Sequence, residues 1–163
     1  MIEYIQRTRD YYGLLGYPAY QWAQNPADLL CGLARPLAES KLALITTAAP
    51  LQAGLGDQGP GAPYNAAAKF FEGYEALLEP VPDLRISHIA YDRLHCDADD
   101  PNTWLPIAAL TAAVNDGIVG ELAAKLIGVP TNRSQRVTQT QDAPAALAAC
   151  RRQRVQAALL VPT

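Results

Sequence analysis

Lys41-Leu42-Ala43-Leu44-Ile45-Thr46-Thr47 is the stretch that decides the fold. From Leu42 to Ile45 it has no polar alternation, the pattern of a strand buried on both faces. Such a strand belongs in a parallel sheet with helices above and below it. Two further stretches predict partners for it. Leu84-Arg85-Ile86-Ser87-His88-Ile89-Ala90-Tyr91 alternates, with Leu84, Ile86, His88 and Ala90 on one face and Arg85, Ser87, Ile89 and Tyr91 on the other. Val155-Gln156-Ala157-Ala158-Leu159-Leu160-Val161-Pro162-Thr163 is a third apolar strand.

Helical segments separate these strands. Residues 2–15 carry Ile2, Ile5, Tyr12 and Leu15 at spacings that suit one apolar face, and Gly16 with Pro18 ends the helix. A second helix starts near Pro106, has Ile107, Leu110 and Val114 as its stripe, and closes at Asp116-Gly117. A third is expected from Asp142, as N-cap, to about Gln153, with Pro144 in its first turn. Residues 118–129 read as a short helix at 120–124 and a short strand at 125–127; residues 131–141 read as a polar loop. The expected fold is α/β, a three-layer sandwich with a short, mainly parallel sheet. Residues 40–163 form its body, preceded at 1–39 by a helix and an extended arm bearing Pro18, Pro26 and Pro36.

Composition narrows the functional classes. Half of the 163 residues are hydrophobic, 18% are charged and the net charge is −3, which disfavours nucleic acid and anionic membranes as partners. No apolar run approaches the roughly 20 residues of a membrane-spanning helix, and the N-terminus has no signal-peptide core. The expected location is the cytoplasm. Three cysteines, Cys31, Cys96 and Cys150, are too few and too widely spaced for a disulfide framework or a zinc site, so they read as reduced thiols.

Several short patterns invite chemistry. Gly54-Leu55-Gly56-Asp57-Gln58-Gly59 matches a dinucleotide fingerprint, but Pro50 separates it from its strand and Pro60 and Pro63 stand where a helix should start. His88, Asp92, His95, Cys96 and Asp97 crowd together, yet their strand-and-turn spacing does not converge them on a metal. Ligands of open α/β sheets bind beyond the carboxyl ends of the strands. Thr46, Thr47 and Asp92 fall at such ends and Asp57, Gln58 and Arg133 on loops; with Arg85 and His88 of the strand itself they are the candidate substrate-binding residues. Arg85 or Arg133 would anchor an anion.

Leu44-Ile45-Thr46-Thr47-Ala48, Asp57-Gln58-Gly59, Asp83-Leu84-Arg85-Ile86-Ser87-His88, Tyr91-Asp92-Arg93 and Asp116-Gly117-Ile118-Val119-Gly120-Glu121-Leu122 occur in that order. In order and spacing, from about residue 38 onward, the chain resembles the glycine/sarcosine/betaine reductase selenoprotein B family, which includes the D-proline reductase subunit. The resemblance implies that the segment Ala158-Leu159-Leu160-Val161-Pro162-Thr163 leads into a Cys-x-x-Cys or selenocysteine-x-x-Cys motif and then into a second α/β half. It implies no cofactor in these residues, a selenocysteine or redox cysteine pair in the full-length protein, a small amino-acid-like substrate and an electron-donor protein. None of Cys31, Cys96 and Cys150 stands in such a motif, so the expectation is a truncated, inactive fragment that ends at a UGA selenocysteine codon. The competing expectation is a non-catalytic binding or assembly module that homodimerises through an exposed sheet edge.

Overall fold

The computed structural model describes residues 3–19, 21, 31–59, 62, 65–87, 91, 95–131 and 134–163. The chain divides into two compact units, Met1–Gly32 and Leu33–Thr163. In the first, helix α1 (Glu3–Leu14) ends at Gly16, whose φ of 76° is the left-handed geometry that glycine adopts without a Cβ penalty.

In the second unit, strand β1 (Lys41–Thr46) is the centre of the sheet. On one side it pairs in parallel with β5 (Glu121–Leu122) and β6 (Lys125–Gly128). On the other it pairs in parallel with β7 (Ala157–Val161), in register from Leu42↔Ala157 to Thr46↔Val161. Strand β3 (Tyr74–Leu77) adds an antiparallel edge beyond β6. The protein is therefore an α/β fold with a mixed, mostly parallel sheet.

The absence of alternation in β1 has a direct structural cause. Leu42 and Leu44 face a core with Trp104, Leu105, Leu110 and Ile107, the last two on helix α2 (Ile107–Asn115). Ala43, one position out of phase, faces a second core with Ala123, Ile127 and Ala149, the last on helix α4 (Ala143–Arg152). One helix covers each face, which makes three layers. Each fully buried leucine here contributes roughly 1.5–3 kcal/mol of burial energy.

Four local expectations are corrected. Only Leu84–Arg85 of the 84–91 stretch forms a described strand (β4), and it pairs antiparallel with β2 (Ala49–Pro50) in a separate two-stranded sheet. Residues 120–124 are not helical. Glu121 and Leu122 extend against Lys41 and Leu42, so sheet pairing overrides local helix propensity. Residues 131–141 are not all loop, because helix α3 (Gln135–Val137) starts from Ser134, whose side chain accepts from the Val137 amide. It runs through a π turn at Thr138–Asp142 into α4. Asp142 is consequently an interior residue with helical φ −69° and ψ −46°, not an N-cap. Pro144 has no amide to give the preceding turn, and the wider turn upstream, with the Ala143 amide on the Thr138 carbonyl, accommodates that loss.

Candidate functional site at the carboxyl edge of the sheet

Three strands end together at Thr46 and Thr47. The Val129 amide, just past β6, donates to the Thr46 carbonyl at 2.9 Å. Thr46 is 1% exposed, and its hydroxyl accepts from the Ala48 amide at 3.0 Å, turning the chain out of β1. Thr47 faces the end of β7. Its Oγ1 accepts from the Thr163 amide at 2.7 Å and lies 3.2 Å from both the Thr163 carbonyl and hydroxyl oxygens. A threonine pair thus ties the ends of β1 and β7 beyond their last ladder bonds.

Tyr74 fixes this edge from the other side. Its hydroxyl donates to the Ala48 carbonyl at 2.6 Å, and its ring lies on Gly128, where an added Cβ would sit 1.9 Å from a ring carbon. Burial raises the Tyr74 phenol well above the ordinary tyrosine range, so it remains a neutral donor. Neither residue stood out in the sequence, because a tyrosine at the start of an unrecognised edge strand has no local signature.

Asp57, Gln58 and Arg85 come together, with Asn65 and Ser87, around a small cavity beside β2 and β4. Its volume is about 20 Å³, room for one water molecule, whereas small-molecule pockets run to hundreds of Å³. The side chains here bind the protein itself. Gln58 Oε1 accepts from the Gln52 amide at 2.9 Å and Gln58 Nε2 donates to the Gln52 carbonyl at 2.8 Å, as a paired strand would. Asp57 accepts from the Gly59 amide at 2.9 Å. Asn65 donates to the Leu55 carbonyl, and Arg85 pairs with Asp83 while donating to the Leu84 carbonyl at 2.8 Å. The glycines of the apparent fingerprint serve this loop, since Gly54 and Gly56 hold φ of 77° and 84°.

His88, Asp92 and Arg133 lie outside the described residues. Cys31 and Cys96 are exposed. Cys150 sits on α4, where burial raises its thiol above the usual range and the Glu75 carboxylate adds to the rise, opposite to the shift that activates a nucleophile. Among the described residues, no group of three or more acidic, histidine or cysteine side chains could hold a metal ion, and no helix is long and apolar enough to cross a membrane. No family model, curated protein or solved structure matches the chain.

Proposed function

We propose that this chain is the N-terminal part of a selenol- or thiol-dependent reductase that cleaves a carbon–nitrogen bond in small amino acids or their N-methylated relatives. The catalytic selenocysteine or cysteine directly follows Thr163. The observation that carries this reading is the Thr47–Thr163 pair. It holds the position after β7 against the end of the central parallel strand, where open α/β sheets place their ligands. A selenolate or thiolate there, facing a following helix N-terminus, has a lowered pKa. Thr47 stands beside that position, and Arg133 is the cation that the sequence offers for the substrate carboxylate. A resolving cysteine three residues on and an electron-donor protein in the cytoplasm restore the nucleophile. The test is the chain extended through that motif, supplied with a dithiol and glycine, sarcosine, betaine or D-proline. Release of the amine, or ring opening of proline, supports the reading; no turnover of any of the four overturns it.

A second reading rests on β7 itself. The strand carries no charge, and Leu159 and Leu160 are 38% and 68% exposed on opposite faces of a sheet edge. Such edges recruit other strands, and a second copy pairing there would make this a homodimeric assembly module. Sedimentation and thermal shift separate the readings. Stabilisation by a small amino acid or betaine favours the reductase, and a tight dimer without it favours assembly.

A further inference from the structure

The chain is acidic, yet Lys41, Lys125, Arg151, Arg152 and Arg154 gather at one corner of its sheet. Lys41 lies two positions before Ala43 and Lys125 two before Ile127, so both lie on the sheet face that α4 covers. Both also stand at the amino ends of their strands. The chain leaving α4 passes over the same ends. Gln153 clasps the Lys125 backbone, accepting from its amide at 2.9 Å and donating to its carbonyl at 3.1 Å. Gln156 accepts from the Lys41 amide at 2.8 Å. The three arginines, in the last turn of α4 and just beyond it, are thereby brought beside the two lysines.

The carboxylates paired with this group are Glu121, 3.1 Å from Lys41, and Glu75, on Arg152. Lys125, Arg151 and Arg154 are exposed and form no ion pair among the described residues. A helix C-terminus favours cations, which accounts for Arg151. It does not account for Lys125, which is on a strand, or for Arg154. The Arg154 and Val155 amides close α4 on the Arg151 and Cys150 carbonyls at 3.1 and 3.0 Å, a pairing that glycine usually completes. Arg154 completes it with a φ of 57°, where a Cβ is strained. Leu77, directly across from Lys125 in the β3–β6 ladder, adds an apolar side chain that is 52% exposed.

We propose that this amino edge docks an acidic protein segment, with carboxylates on Lys125, Arg151 and Arg154 and an apolar side chain on Leu77. Arginine holds a carboxylate through two parallel N–H donors. An extended nucleic acid fits less well, since it would run past the patch onto a chain whose net charge is −3 despite these cations. The proposal is independent of the reductase reading, because the patch and the Thr47–Thr163 pair sit at opposite strand ends.

Fluorescence anisotropy on the wild-type chain tests it, with a labelled glutamate-rich peptide that carries a leucine. The glutamine version of that peptide and an oligouridylate are the comparison probes. We expect saturable binding of the glutamate peptide alone, weakened about tenfold when salt is raised from low to physiological concentration. Lys125→Glu combined with Arg151→Glu should abolish it. Arg136→Glu, near the other end of the helix of residues 135–152, should leave it unchanged. Arg154→Gly should bind about fivefold more weakly and yet melt higher, because glycine relieves the strained φ. Circular dichroism of each variant confirms the fold first. No saturable binding, an equal response to the glutamine peptide, or binding of the oligouridylate as tight as that of the glutamate peptide would overturn the proposal. So would equal weakening by Arg136→Glu, or full affinity in folded Arg154→Gly.

Discussion

Tyr74 and Cys150 show how burial sets the chemistry of single side chains here. The Tyr74 phenol is raised in the fold, so the folded state holds its proton more tightly than the unfolded chain does. The stability this contributes is fully present below about pH 10, the unperturbed tyrosine value, and is lost as pH rises beyond it. Tyr74→Phe should lose about 1 kcal/mol at neutral pH with the Ala48 hydrogen bond and should flatten the alkaline decline, both read by denaturant titration at several pH values. Gly128→Ala should cost more, about 1–3 kcal/mol or above, because its methyl meets the Tyr74 ring. Among the thiols, Cys31 and Cys96 should alkylate quickly and Cys150 slowly. Because its pKa is raised, the Cys150 rate should still climb with pH above the ordinary thiol range. Mass-resolved labelling from neutral to alkaline pH checks this, and a fast Cys150 would contradict it.

At the scale of elements, β1, α2 and β7 were legible because each carries an unmixed signal: an apolar run, a stripe closed by Asp116-Gly117, a second apolar run. The other elements owe their state to partners elsewhere in the chain. Tyr74–Leu77 is a strand because β6 lies beside it, and Glu121–Leu122 because Lys41 and Leu42 do. The strand that carries Arg85 is two residues long and belongs to a different sheet. Asp57, Gln58 and Arg85 line one small cavity, yet the partners of Gln58 are backbone groups of Gln52, and no spacing rule announces a glutamine that mimics a strand. Two element-level outcomes follow. Gln58→Ala should raise amide exchange through residues 52–59 while leaving β1 protected, since the clasp is local. Thr47→Val removes the hydroxyl that receives the Thr163 amide, so Thr163 should lose protection while Leu44 and Ile45 keep theirs. Loss of protection throughout β1 would mean that the threonine pair supports the sheet rather than its edge.

For the whole molecule, the sheet does two jobs with one arrangement. Its centre is closed: β1 is covered on both faces, and Leu44→Ala should cost about 2–5 kcal/mol, measured as a lowered denaturation midpoint. Its carboxyl edge is where the strand ends β6, β1 and β7 converge, with Tyr74 and Thr47 holding their exits in place. The edge strand β7 carries exposed leucines on both faces. The proposed reductase function requires a redox nucleophile immediately after Thr163. The coding DNA just past the Thr163 codon tests that proposal. The expected result is a UGA or cysteine codon at the next position and a cysteine codon three positions beyond it, in an open frame. A UAA or UAG stop, or an open frame without that cysteine spacing, would contradict it.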